Sequence, residues 1–308
     1  MNEITVTASD GAQLAGYAWP VDDPATVLHI AHGMGEHARR YDWVAQQLKH
    51  RGIAVFAHDH RGHGATALGL SEPFGYMGVD GWNRVVADAY EVNRYLRRQY
   101  PEAKIVLLGH SMGASLAQQY VTRHGTTIDA LILSGSPGFA APSRNPLPRW
   151  ILNFETRRHG AQGHSELMQR LLFGRANKPF ESEGSTGSEW LSRDSEQVAA
   201  YAEDEQCGFV LSNGSLADYF AATLVTADPL SVAKIPKRLP TYVFSGTADP
   251  VHREQANVIR MVEAFRASGM TDVTLKWYTD GRHEMFNETN REEVMQDLLS
   301  WLTQRLSS

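Results

Sequence analysis

The 308-residue chain has one cysteine, Cys207, and nowhere a run of about 18 apolar residues. A single thiol excludes an intrachain disulfide framework, so packing must hold the fold, and Cys207 is expected as a small buried apolar residue. The missing apolar run excludes a membrane-spanning helix. Positive charge is also in short supply, since 29 Lys and Arg against 35 Asp and Glu leave a net charge of −6. Nucleic acid is therefore not an expected partner, because a polyanion needs clustered cations on one face. The first residues, "MNEITVTASDGAQLAGYAW", lack the basic stretch and apolar core of a secretion signal, and the chain is read as cytoplasmic.

Apolar material is plentiful: 42% of the residues are hydrophobic, enough for a large core. "EITVTAS" and "AQLAGYAW" alternate like a hairpin. Six further β-branched runs follow: "TVLHIAH", "IAVFAHD", "KIVLLGH", "DALILSG", "PTYVFSG" and "VTLKWY". Near-continuous apolar strands mean burial on both faces. Between them lie helical patterns, "RRYDWVAQQLKHRG", "GWNRVVADAYEVNRYLRRQYP", "SMGASLAQQYVTRHG" and "HREQANVIRMVEAFRASG". Strand and helix taking turns predicts an α/β fold with a mostly parallel eight-stranded sheet flanked by helices. The rhythm breaks from residue 137 to 230, which shows no strand but short helical pieces such as "HSELMQRLLFG". A structureless loop of that length is implausible in a compact domain. The organisation expected is a core of 1–136 and 231–308 with a helical cap, 137–230, inserted into it.

Chemistry in such sheets gathers beyond the carboxyl ends of the strands. After "KIVLLG" stands Gly109-His110-Ser111-Met112-Gly113, a G-x-S-x-G pattern between a buried strand and an amphipathic helix. Serine in that turn is a nucleophile held on a strained bend, although alone it could be a helix cap. A serine hydroxyl needs a base, and the base needs an orienting carboxylate. Asp249 follows the strand "PTYVFSG", and His283 follows the last strand, giving the order Ser, Asp, His. Asp280 and His252 are the competing acid and base. The loop His32-Gly33-Met34-Gly35 after "TVLHIA" is small enough to turn backbone N–H groups toward the site. The N–H groups of Met34 and Met112 are the expected oxyanion donors. Gly33 and His110 are expected to line or support the site, and His37 likewise.

The run "HDHRGH", 58–63, invites a metal reading, but its aspartate stands at 59, with Gly62 where a ligand run would place it. It is read as a loop bordering the site, and neither a metal nor an organic cofactor is expected.

"HGMGEHARRY", "VFAHDHRGHG", "GHSMGAS", "SGTADPV" and "GRHEMFNE" resemble the monoacylglycerol lipase and lysophospholipase branch of the α/β-hydrolases, grouped with serine aminopeptidase-like hydrolases. The resemblance spans the core, while the cap matches loosely through "EQCGFVLSNGSLADYF". Ala114 departs from it, standing where a second glycine is common. The resemblance implies a serine esterase or lipase acting on a small acyl ester through Ser111, Asp249 and His283, with Met34 and Met112 holding the oxyanion. Two rivals are an aminopeptidase-like amidase, whose substrate amine would meet Glu181, Glu183, Glu203, Asp204 or Glu205, and a non-catalytic binding module. In the cap, "NPLPRWILNFETRR" places Trp150, Ile151, Leu152 and Phe154 together, either as a core helix or as a lid that guides acyl chains and touches lipid surfaces.

Overall fold

The computed structural model describes residues 1–141, 147–172, 174, 176–253 and 255–306, with only the backbone at 147–149, 153, 171 and 172. All eight expected strands are present: β1 (Asn2–Thr7), β2 (Gln13–Trp19), β3 (Thr26–Ala31), β4 (Ile53–His58), β5 (Lys104–His110), β6 (Ala130–Ser134), β7 (Thr241–Gly246) and β8 (Val273–Tyr278). They form one sheet in the order β1-β2-β4-β3-β5-β6-β7-β8. β1 and β2 pair antiparallel, β2 also runs antiparallel to β4, and the rest of the sheet is parallel.

The helices are α1 (Asp42–Lys49), α2 (Gly64–Leu70), α3 (Gly81–Gln99), α4 (Met112–His124), α5 (Leu147–His159), α6 (Glu166–Leu172), α7 (Ser195–Glu203), α8 (Asn213–Thr226), α9 (Pro229–Val232), α10 (Ala256–Ala267) and α11 (Arg291–Leu306). Successive side chains of a strand point to opposite faces, so the sheet divides the core in two. Val27, Ile105, Leu107 and Leu131 pack with α3, α4 and α10. Leu28, Val106, Leu108 and Ile132 pack with α1 and α11. Cutting one of these leucines or isoleucines to alanine costs about 2–5 kcal/mol.

α2 was not foreseen. Its sequence, "GATALGL", is a poor helix former, and tertiary bonds impose the conformation. The Asp59 carboxylate accepts the Ala65 N–H at 2.8 Å, and the Thr66 hydroxyl donates to the Asp59 carbonyl at 2.8 Å.

Helices α5 to α9 lie between β6 and β7, and no strand occurs there among the described residues. Residues 142–146, 173 and 175 of this insertion lie outside that description. Helix α8 seats it on the core by packing against α3 and α4. In α5 the four apolar residues divide: Leu152 is buried and Ile151 half-buried, whereas Trp150 is 64% and Phe154 49% exposed. A simple core helix is thus corrected by half of its apolar face. Cys207 is half-buried rather than fully enclosed. No described helix is long and apolar enough to cross a membrane.

Candidate active site

β5 ends at His110 and α4 begins at Met112, so Ser111 alone makes the bend. Its backbone sits at φ 54° and ψ −115°, a region that costs a non-glycine residue about 1–3 kcal/mol. The surroundings enforce it. Ser111 N–H donates to the Ser134 carbonyl on β6 at 3.0 Å. A Cβ on Gly109 would strike the Gly113 carbonyl, and one on Gly113 would strike the carbonyl of Ala31 at the end of β3. The two glycines therefore let the bend press against the neighbouring strand, leaving Ser111 partly exposed among buried neighbours. Ala114 is fully buried in α4 without displacing this geometry.

The loop after β3 lies beside the serine: a Cβ on Gly33 would stand 3.3 Å from both the Ser111 Cβ and the His110 ring. Met34 N–H belongs to this loop. Met112 is the first residue of α4, where a helix has no carbonyl of its own to offer the N–H.

Asp249 stands just past β7, and its Oδ2 pairs with His283 Nδ1 at 2.9 Å, both side chains almost wholly buried. Ser245 Oγ donates to the same oxygen at 3.2 Å, and Val251 N–H donates to Oδ1 at 2.8 Å, which fixes the carboxylate plane. Burial pushes the Asp249 carboxyl upward, but the charge and hydrogen bond of His283 outweigh it and hold it below the usual range. Burial likewise disfavours charge on His283, and Asp249 reverses that, raising the imidazole above its ordinary value. The competitors are otherwise engaged. His252 lies in the turn 250–252, with Nε2 on the Gly246 carbonyl at 2.9 Å and Nδ1 accepting Gln255 N–H at 2.8 Å. Asp280 is exposed, its backbone N–H bonded to Thr247 Oγ1.

His110 packs its ring 4.8 Å from that of His283. Trp150 and Phe154, the other two expected lining residues, stack on each other at 6.0 Å and are 64% and 49% exposed. Four residues around the site went unforeseen. The Trp190 ring lies 5.0 Å from His283, carried there by the turn Glu189–Leu191 of the insertion. Glu36, Arg40 and Glu284 form a buried ion cluster behind the histidine. The signal for Glu36 and Arg40 was their four-residue spacing in "GEHARRY".

The "HDHRGH" histidines bond to one another and to backbone. His29 Nε2 meets His58 Nδ1 at 3.1 Å, His58 Nε2 meets His60 Nδ1 at 3.3 Å, and His60 Nε2 meets the His32 carbonyl at 3.2 Å. His32 Nδ1 in turn bonds the Gly33 carbonyl at 2.8 Å, so the ladder ends on the loop beside Ser111. Among the described residues His37, Asp204 and Cys207 bring ligand-type atoms within 4.8 Å of one another. His37 Nε2 is already bonded to Asp204 Oδ2 at 2.8 Å, and burial pushes the Cys207 thiol up, away from the thiolate a metal requires. Between Phe74, Met168, Phe209 and Leu211 lies a cavity of about 330 Å³, within the size range of small-molecule pockets. Phe209 also lines the approach to the loop beside Ser111, because a Cβ on Gly35 would strike its carbonyl.

The chain is 28% identical to a solved structure described as a lipase in an open form, at a TM-score of 0.87 and covering 100% of this chain and 99% of that one. A carboxyl esterase from Bacillus coagulans superposes at a TM-score of 0.88 and 26% identity, covering 99% and 98% of the two chains. A monoacylglycerol lipase of Mycolicibacterium smegmatis is 27% identical over 99% of this chain and 98% of its own. The family model described as "Serine aminopeptidase, S33" matches residues 22–290. With that match across strands β3 to β8, the insertion and the candidate site, the chain belongs to the serine aminopeptidase S33 family of α/β-hydrolases.

Proposed function

We propose that this chain is a serine carboxylic-ester hydrolase of the monoacylglycerol lipase type, a reading carried by the buried Asp249–His283 pair at the strand ends beside Ser111. Ser111 Oγ attacks the ester carbonyl carbon while its proton passes to His283 Nε2. The carbonyl electron pair moves onto oxygen, and the N–H groups of Met34 and Met112 hold that oxyanion. When the tetrahedral intermediate collapses, the bond to the alcohol oxygen breaks and His283 returns its proton to the leaving alkoxide. Water then attacks the acyl-enzyme by the same route and releases the acid. Asp249 stays ionised throughout, orienting the imidazole and stabilising its cation.

Residues 137–230 act as the cap over this site, and the cavity beside Phe74 and Phe209 takes the apolar part of the substrate. The exposed Trp150 and Phe154 give the cap a surface for transient contact with aggregated lipid. A lone thiol, kept in its neutral form by burial, suits a reducing compartment such as the cytoplasm. Amide cleavage is less well supported. Glu181, Glu183, Glu203 and Glu205 are exposed, and Asp204 already binds His37, so none is poised to receive a substrate amine.

Ser111→Ala is expected to fold normally and to lose nitrophenyl ester hydrolysis together with fluorophosphonate labelling. Labelling that persists on the variant overturns the assignment. Monoacylglycerols and aminoacyl arylamides assayed side by side separate esterase from amidase.

A further inference from the structure

The loop that offers the Met34 N–H and the loop that carries His283 come from opposite ends of the chain, yet one buried guanidinium holds both. Arg40 follows the first loop in the turn Ala38–Tyr41. Its Nη1 reaches Glu36 Oε2 and Glu284 Oε1, each at 2.7 Å, and its Nη2 reaches Glu284 Oε2 at 2.7 Å. Glu36 uses its other oxygen on the loop itself, accepting the Gly33 N–H at 2.5 Å and the Tyr41 hydroxyl at 3.0 Å. Glu284 is the residue after His283 and is steadied by Asn287 Nδ2 at 2.8 Å. The insertion joins in: the Tyr201 ring covers the guanidinium at 4.7 Å, and its hydroxyl donates to the Gly35 carbonyl at 3.0 Å. A cavity of only about 10 Å³ remains beside the cluster, room for a single water at most.

A buried ion cluster is a poor source of stability, because desolvation offsets most of the attraction. What it does supply is fixed geometry, since bidentate charged hydrogen bonds tolerate little displacement. Oxyanion donors act only within about 2.7–3.1 Å of the developing charge, and a misplacement of about 1 Å can cost about 100-fold. We propose that Arg40 is a positioning residue which, through Glu36 and Glu284, sets the distance between the Met34 amide and the His283 imidazole. The inference rests on the proposed roles of Ser111, His283 and Met34.

The test compares Arg40→Met, Arg40→Lys and Glu284→Gln in the full-length protein with a short soluble ester. Arg40→Met is expected to lower kcat about 100-fold while KM changes less than about threefold, with Arg40→Lys recovering part of the loss. The groups facing His283 are Asp249, His110, Glu284 and Glu36. Removing the Arg40 charge leaves two carboxylates unopposed, so the acid limb of kcat/KM moves to higher pH. Glu284→Gln removes one carboxylate and moves that limb to lower pH. A folded Arg40→Met with wild-type kcat, or acid limbs unmoved in both variants, overturns the proposal. Should Arg40→Met fail to fold, Glu284→Gln, nearly identical in shape, decides by the same two readouts. Wild-type enzyme that does not label at Ser111 refutes the catalytic reading instead, so the two failures are distinguishable.

Discussion

His283 and the ladder of buried histidines that ends on the loop beside Ser111 shift in opposite directions. His283 has Asp249 at 2.9 Å and is raised. The ladder beneath the loop bonds to other imidazoles and to backbone groups: burial, reinforced by neighbouring histidines, lowers His29 to about 3, and His32, His58 and His60 fall as well. Burial also lowers His63 to about 4, and His110, with His283 beside it, to about 4. The same ring in equally dry surroundings is raised where a carboxylate bonds it directly, as Asp249 bonds His283, and lowered where none does. The hydrogen-bonded partner, not burial alone, sets the direction of the shift.

The sharpest way to break that contrast is Asp249→Asn, which keeps the shape of the acid but gives His283 the charge environment of the ladder. A fall in kcat of about 10⁴-fold is expected, read from steady-state ester hydrolysis. A loss under tenfold would mean that the carboxylate is ornamental.

The ladder itself is exposed by acid. Its histidines stay neutral when folded but take up protons below about pH 6.5 when unfolded, so falling pH favours the unfolded chain. The stability they contribute is present above pH 6.5 and is lost as the pH drops toward their lowered folded values. The lowered Asp249 and Glu284 act in the same direction, while His283, raised, opposes it as one group. Unfolding free energies from urea titrations at pH 7.5 and 5.5 should differ by on the order of 1 kcal/mol per ladder histidine. Equal free energies would show that these rings are protonated in the fold.

The smallest expected effect belongs to the exposed aromatic pair of α5. Replacing Trp150 and Phe154 with serine should leave short soluble esters within about twofold and lower activity on aggregated long-chain esters several-fold, since two exposed aromatics act only at an interface. Equal loss on both substrates would assign the pair to structure.

How far the sequence reveals each region follows the same division. The strands and the bend were readable because parallel strands buried on both faces leave continuous apolar runs, and a strand-to-helix turn this tight demands Gly109 and Gly113. Asp249 and His283 could be singled out because they stand in the loops that follow β7 and β8. Glu284 was not connected to Arg40, since 244 residues separate the partners and no local pattern marks a long-range ion pair. Helix α7 did carry a signal: Asp194 caps it through the N–H groups of Glu196 and Gln197, a start visible in "RDSEQ". Trp190 left no such mark, because its place over His283 comes from backbone bonds between the insertion and the histidine loop, among them Glu284 N–H to the Leu191 carbonyl at 2.8 Å.

The pairing of β6 with β7 has a kinetic consequence. Leu131 on one strand aligns with Thr241 on the other, so the whole insertion must be looped out before these strands meet. Closing so long a loop carries an entropic cost that local helices avoid, and contacts of such separation form late. Ser111 lies before that closure, Asp249 and His283 after it. If Ser111 acts as proposed, reactivity toward a fluorophosphonate should appear in refolding only after the helical signal has recovered, which would make that reactivity a clock for the joining of β6 and β7.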